Sequence, residues 1–322
     1  MKIAVVGGGI CGLYLALKLV EKGEEVTVFE KKEKIGKEVC SGLFSERILK
    51  LIPESKNLIQ NQIECCLIHF PEKTLKINFS TSQDNPTGQG KFFVMNHFEL
   101  DNLVADLAQR AGVKILLKCN VTRSFLVTLQ GEFDKIIGCD GALSQVRKIL
   151  GLKEPQFSLG IQGFISKRDY SNLVETWPTS SGFIWRIPRG REIEYGIIEK
   201  PEVAKNIFGK FLNKNNLELK NLKSALVPQG FSIPRNNSIT LCGDAVGLTK
   251  PWSGGGVIWG LSAVDILLKN FPDFLKYYKE AKSFFSAKII FSKLAKKLLY
   301  FFGYNLPWFL PKNYKIESDF LI

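Results

Sequence analysis

Lys2-Ile3-Ala4-Val5-Val6-Gly7-Gly8-Gly9-Ile10-Cys11-Gly12 is the stretch that decides the fold. Its first five residues are short, β-branched and bounded by glycine, the signature of a buried parallel strand. The glycines satisfy G-x-G-x-x-G. Gly7 permits a tight turn, Gly9 lets backbone approach a pyrophosphate, and Gly12 lets helix and strand pack closely. Residues 12–22 carry helical periodicity, with Leu13, Ala16, Leu17 and Val20 on one face and Gly23 as the stop. A second strand is expected over 25–30. It ends in Glu30, where an acidic group accepts from ribose hydroxyls, and Lys31 follows in the same cofactor-binding set. Strand, glycine turn, helix, strand and acid together predict a Rossmann-type dinucleotide site, with the phosphates on the helix N-terminus. This unit alone does not separate FAD from NAD.

Composition narrows the class. The 322 residues are 45% hydrophobic and 23% charged, ordinary for a globular chain, but the net charge is +13. Such an excess predicts attraction to an anionic partner, or a lysine-rich solvated surface. The seven cysteines are odd in number and contain no C-x-x-C pair, which argues against a disulfide framework or zinc site and suits a reducing, cytoplasmic setting. With only His69 and His97, a histidine-rich metal centre is excluded, and no metal site is expected. The first residues run straight into a strand, so no signal peptide is expected. No run of 18 uncharged apolar residues predicts a membrane span.

Further along, 53–91 lose helical periodicity and end in a polar, turn-rich run from 80 to 90. A helix over 100–111 leads to strands over 113–117 and 135–139. From 157 to 233 the pattern is strand-rich, with one helical stretch near 201–216, and a strand over 238–242 precedes a helix over 254–268. Rossmann-like segments at 1–52, 92–155 and 232–270 are thus interrupted by β-rich material at 53–91 and 156–231. A basic, aromatic helical tail fills 271–322.

Two later motifs identify the dinucleotide. Cys139-Asp140-Gly141-Ala142-Leu143-Ser144-Gln145-Val146-Arg147 follows one buried strand. Cys242-Gly243-Asp244-Ala245-Val246-Gly247 follows another and leads into Pro251-Trp252-Ser253-Gly254-Gly255-Gly256. The chain here resembles the flavin-dependent hydroxylase superfamily. That resemblance implies FAD, a p-hydroxybenzoate hydroxylase-like α/β fold, Asp140 and Gly141 lining the cofactor cleft, and Asp244 on a ribitol hydroxyl. Independently of it, three glycines opening a helix would offer N–H groups to negative charge on a reduced flavin.

Within that superfamily the chain is most similar to the geranylgeranyl reductase family. Glu38-Val39-Cys40-Ser41-Gly42 looks like its Cys-Ser-Gly segment near the flavin. Phe183-Ile184-Trp185-Arg186-Ile187-Pro188, with Tyr195-Gly196, looks like its Tyr-x-Trp-x-Phe-Pro signature and trailing glycine. Phe183 and Ile187 depart from that signature, and His97 stands where such flavoproteins usually place an arginine near the cofactor. The resemblance implies an FAD-dependent reductase of isoprenoid double bonds, on archaeal-type ether phospholipids. Cys40 and Trp185 are the expected residues at the reacting face, although Trp185 also reads as sheet packing and Cys40 as an inert thiol. A flavin monooxygenase, a halogenase and a non-catalytic FAD or lipid binder are the alternatives. NAD(P)H or a ferredoxin-like carrier is the expected donor.

From Ala281 to Ile316 the tail has seven lysines, ten aromatics and no acid. As one helix it would gather Lys279, Lys282, Lys293, Lys296 and Lys297 on one side, against Phe284, Phe291, Leu294, Leu298 and Phe302. That pattern predicts peripheral attachment to an anionic membrane surface, or packing on the core with lysines in water. No nucleic-acid module is recognisable, and none is expected as a partner.

Overall fold

The computed structural model describes residues 1–80 and 91–317; the turn-rich run at 81–90 and the last five residues lie outside them. Five strands form the Rossmann-type sheet in the order Ile239–Leu241, Lys135–Gly138, Lys2–Val6, Glu25–Phe29, Lys114–Leu116, all parallel. Continuous apolar runs suit this position, because helices cover the sheet faces. Ile10–Glu21 is the first crossover helix, with Leu13, Leu15, Ala16 and Leu19 fully buried. It packs against helices His97–Arg110 and Val257–Asn270.

The helix expected over 100–111 begins three residues earlier. Asn96 caps it, its side chain accepting from Phe98 N–H, and this carries His97 into the first turn. A helix at Arg123–Glu132 went unforeseen; Thr122 caps it through Phe125 N–H, and Leu126 and Leu129 are its only two buried side chains. That apolar stripe is too narrow to stand out as a period.

The interrupting segments build a larger sheet of eight strands. Its order is Lys220–Gln229, Gln156–Ile165, Ile193–Glu199, Phe183–Pro188, Leu173–Pro178, Cys65–His69, Thr74–Ser80, Asn313–Glu317. A three-stranded sheet of Leu43–Ser45, Phe92–Met95 and Ile59–Ile63 ties residues of both kinds of segment together.

Two expectations are corrected here. The tail is not wholly helical: Asn313–Glu317 returns as a parallel edge strand on Thr74–Ser80, where the sheet offers unpaired backbone groups. Gly254, Gly255 and Gly256 precede a helix that starts at Val257. Gly254 has φ +72°, in the left-handed region, so it cannot begin a right-handed helix. Its N–H donates to Lys250 O at 2.8 Å, and Gly255 N–H to Ser253 Oγ at 3.3 Å, so two of the three expected donors are engaged.

The long helix Phe274–Asn305 is capped by Asp273, whose carboxylate accepts from Leu275 and Lys276 N–H. Phe274, Tyr277, Ala281 and Phe285 are fully buried at helical spacing, and Gly303 continues the stripe further along. The first half belongs to the Rossmann core, where Tyr277 hydroxyl donates to Leu241 O at 3.1 Å. The second half lies on the large sheet. Tyr300 hydroxyl donates to Gly182 O at 2.6 Å and Lys296 Nζ to Ser181 O. Lys296, expected on a solvated basic face, therefore points inward, and burial lowers its pKa. No helix among the described residues is long and apolar enough to cross a membrane.

Candidate active site

One cavity of about 610 Å³ gathers nearly all the residues singled out in the sequence. Gly7, Gly9, Glu30, Lys31, Cys40, His97, Asp140, Gly141, Trp185, Asp244, Gly254, Gly255 and Gly256 all line it. Gly12 does not. A Cβ there would sit 2.1 Å from Gly7 O and 3.2 Å from Cys139 Cβ, so it serves helix–strand contact. A Cβ on Gly7 would meet Cys139 O at 2.4 Å, whereas one on Gly9 would meet nothing within 4 Å. The first glycine fits a crowded turn and the second leaves backbone open to the cleft, the division of labour a pyrophosphate requires.

The Glu30 carboxylate accepts from Gly8 N–H at 2.6 Å and Lys32 N–H at 2.9 Å, holding both loops and keeping acceptor capacity at the cavity wall. Asp140 is placed differently from a simple cleft-lining acid. Its oxygens take Ser144 Oγ–H, Gln145 N–H and Val146 N–H, closing the turn into helix Gln145–Ile149. Burial nevertheless raises its pKa, those three donors only partly offsetting it. Arg147, fully buried, donates to Ala142 O and Ala245 O and so staples the two Asp-containing motifs to each other. Asp244 Oδ2 lies 3.1 Å from Lys37 Nζ, and its charge raises the lysine pKa against the opposing effect of burial.

The remaining wall is apolar. Ile68, Ile77, Phe79, Val174, Phe183, Ile187 and Ile198 come from the eight-stranded sheet, and Leu299 and Tyr300 from the long helix. Trp185 joins them, only 8% exposed, and packs in the same cluster. Its indole lies over its cross-strand partner Gly196, where a Cβ would approach Cζ2 to 2.2 Å. The glycine trailing the aromatic signature thus makes room for the ring. Trp185 therefore both packs in the sheet cluster and borders the cavity.

Two residues that sequence reading missed fix this wall. Trp185 Nε1–H donates to Glu194 Oε1 at 2.9 Å, and Arg189 Nη1–H to Glu194 Oε2 at 2.6 Å. Arg189 also donates to Ser41 O and Met95 O, binding the Cys40 loop and the strand before His97 to the tryptophan. Burial pushes the Glu194 pKa up to about 7, against the Arg189 charge and the tryptophan N–H, which lower it. Nothing in the local sequence marks this pair, because its partners lie up to 148 residues away.

The loop before Leu43–Ser45, the first strand of the three-stranded sheet, carries Cys40, whose Sγ accepts Gly42 N–H at 3.4 Å. His97 and Asp101 lie on the same cavity wall, with Nε2 3.3 Å from Oδ1. Among the described residues no group of three or more acidic, histidine or cysteine side chains is arranged to hold a metal.

The glycine cradle, the acid at the second strand and the engaged Asp-Gly turns fit FAD, and fold and site define an FAD-dependent oxidoreductase. A model of the NAD(P)-binding Rossmann-like domain matches residues 5–43. The chain is similar to the digeranylgeranylglycerophospholipid reductase of Methanothrix thermoacetophila, 23% identical over 81% of this chain and 75% of the relative. Among solved structures it is similar to a geranylgeranyl bacteriochlorophyll reductase-like protein from Thermoplasma acidophilum, with TM-score 0.75, 20% identity and coverage of 92% and 87% of the two chains. It shares its fold also with 2-methyl-3-hydroxypyridine-5-carboxylic acid oxygenase, with TM-score 0.68, 15% identity and coverage of 95% and 93%. The resemblance to geranylgeranyl reductases read from the sequence stands, and the protein is an FAD-dependent reductase.

Proposed function

We propose that the protein saturates carbon–carbon double bonds in the geranylgeranyl chains of archaeal-type ether phospholipids at an anionic membrane surface. One observation carries this reading: the glycine-lined cofactor wall and a long apolar wall share one cavity. An isolated alkene takes hydride at one carbon only as a proton reaches the other, so it must be held in a dry, shaped slot. The apolar wall suits an isoprenoid tail and excludes water.

In this reading the backbone around Gly7 and Gly9 and the helix N-terminus at Ile10 hold the pyrophosphate. Glu30 and Lys31 would meet the adenosine ribose, Asp140 and Gly141 would line the cleft, and Asp244, with Lys37 beside it, would accept from the ribitol. When bound, reduced FAD supplies the hydride equivalent, with NAD(P)H or a ferredoxin-like carrier as the source of electrons. Trp185, oriented by Glu194, borders the isoprenoid chain, and Cys40 holds the proton at Sγ. Outside the cavity, the outer face of the long helix supports the membrane reading: Ile290, Phe291, Leu294, Leu298 and Phe301 are exposed there, and Trp308 and Phe309 follow.

The test is mass spectrometry of lipids after co-expression with a geranylgeranyl-lipid pathway. The expected product is heavier by about 2 Da for each bond reduced. A gain of about 16 Da would mark oxygenation, the chemistry of the hydroxylases that share the fold. An unchanged lipid profile would overturn the proposal in favour of a binding role.

A further inference from the structure

The N-terminal turns of the long helix carry a cleft that shares no residue with the cofactor cavity. Arg235, Tyr278, Lys279, Lys282, Ser283 and Ser286 line it. Arg235 comes from the loop between strands Lys220–Gln229 and Ile239–Leu241, and that loop is tied to the helix it faces: Asn237 Oδ1 accepts Phe274 N–H at 2.9 Å. Ile233 and Pro234 are buried, and Asn236 Oδ1 accepts from Ser238 and Ile239 N–H, so the backbone on both sides of Arg235 is held. Its guanidinium stands 5.2 Å from the centre of the Tyr278 ring. Lys282, one turn after Tyr278, places Nζ 5.9 Å from the same ring.

Three cations thus meet at one opening with no acid to answer them. Among the described residues, Arg235, Lys279 and Lys282 make no ion pair with a carboxylate. The acids nearest in the chain are engaged elsewhere. Asp273 caps the helix beside Lys276, and Glu280 accepts from Lys269 and Asn270. A guanidinium fork, two ammonium groups and two serine hydroxyls, left uncompensated, form the donor set of a phosphate site.

The helix itself selects the source of that phosphate. Lys279, Ser283 and Ser286 step by four and three residues into Ile290 and Leu294, and two turns later into Phe301, so they share one outward stripe. Ile290, Leu294 and Phe301 are each more than half exposed. The stripe is cationic over the cleft and apolar beyond it, for about 17 Å of helix. A membrane surface offers phosphate and hydrocarbon side by side in this way, and a soluble phosphate compound does not.

We propose that this cleft binds the phosphate of an anionic phospholipid headgroup and so fixes where the protein sits on a membrane. The proposal rests on the membrane part of the reading above and adds a site to it. Arg235 and Lys282, held against Tyr278, pair with the phosphate oxygens; Lys279, Ser283 and Ser286 complete the contact, and the apolar stripe inserts alongside.

The experiment is co-sedimentation of the full-length flavoprotein with vesicles of phosphatidylcholine and phosphatidylglycerol at physiological salt. Replacing Arg235 and Lys282 together by glutamine should weaken vesicle binding about tenfold or more. The pair Lys205→Gln and Lys210→Gln removes the same charge from exposed positions on helix Pro201–Lys214, and should change binding by less than about threefold. FAD content and melting temperature should match the wild type in both. Lys279→Glu, at an exposed position, changes net charge by the same amount and should weaken binding to a similar degree; it decides the matter if the first pair does not fold. Equal weakening by both pairs would reduce the effect to net charge and overturn the site, as would undiminished binding by the Arg235 and Lys282 pair. Inorganic phosphate binding that this pair abolishes, with vesicle binding unchanged, would assign the cleft to a soluble phosphate compound and overturn the proposal too. Indifference of the wild type to every vesicle would remove the membrane part of the reading together with the site, while the lipid masses would still decide whether double bonds are reduced.

Discussion

Single side chains at this site act through the loops they hold. Asp244 stands beside Lys37, and a Cβ on Gly256 would meet its Oδ1 at 2.8 Å, so its carboxylate is confined to one place on the cavity wall. Confinement suits a charge-assisted hydrogen bond, worth about 1.5–3 kcal/mol, to a ribitol hydroxyl. Asp244→Ala is expected to fold, and to lose FAD affinity by roughly one to two decades; flavin absorbance per protein after gel filtration measures it. Undiminished flavin content would remove Asp244 from the cofactor set. Trp185 makes a parallel case for the apolar wall. With its indole held by Glu194 Oε1, Trp185→Phe should retain FAD but reduce long-chain lipids more slowly than the wild type, read as kcat/KM across chain lengths. A uniform loss on every chain length would assign the ring to packing alone.

At the scale of elements, the long helix is fastened by a turn. Glu199, at the end of strand Ile193–Glu199, gathers Thr179, Ser180 and Ser181 hydroxyls and the N–H groups of Ser181, Gly182 and Lys200. The same turn presents Ser181 O and Gly182 O to Lys296 and Tyr300 of the helix. Burial would raise the Glu199 pKa, but these donors, Ser181 and Thr179 foremost, bring it down to about 2 from an ordinary 4.5. A depressed carboxylate stabilises the fold above its unfolded value, and the contribution disappears as pH falls through the folded one. Glu199→Gln should therefore lower stability near neutral pH by on the order of 1–2 kcal/mol, solvent screening part of the charge and the amide keeping part of the hydrogen bonding. It should also flatten the loss of stability between about pH 4.5 and pH 2, followed by urea denaturation across pH. A variant with an unchanged acid limb would place the acid sensitivity elsewhere.

For the whole molecule, the membrane reading turns on which face of the long helix is free. Its inner stripe, from Phe274 through Phe285 to Gly303, is spent on the protein. Leu294, Leu298 and Phe301 on the outer face are each about half exposed, with Lys293 and Lys297 on the flank. The protein is expected to float with anionic liposomes and to bind less as salt rises, since surface charge is screened within about 8–10 Å at physiological ionic strength. A salt-resistant fraction should remain through apolar insertion. Replacing Leu294, Leu298 and Phe301 together by serine should abolish that fraction without loss of FAD. Indifference of the wild type to anionic liposomes would refute the membrane reading.

Sequence alone determined the Rossmann unit, because its information is local: a five-residue apolar strand, glycines at fixed offsets and an acid at the end of the next strand. It also brought forward the glycine- and aspartate-bearing part of the cavity wall and Trp185, since Gly-Asp turns and the Trp–Gly signature carry their chemistry in short words. Only the tertiary structure decided how those words are joined. Arg147 bridging two motifs, Arg189 and Glu194 binding the Cys40 loop to Trp185, and His97 sharing a wall with Cys40 are contacts between residues far apart in the chain. The helix cap at Asn96 moved His97 into the first turn, and the left-handed backbone at Gly254 kept its triplet out of the next helix. The long helix shows the same limit from the other side. Its amphipathic pattern was legible, but which apolar face met the protein was not. That choice depends on complementary surface from strands more than 100 residues away, which no local period encodes.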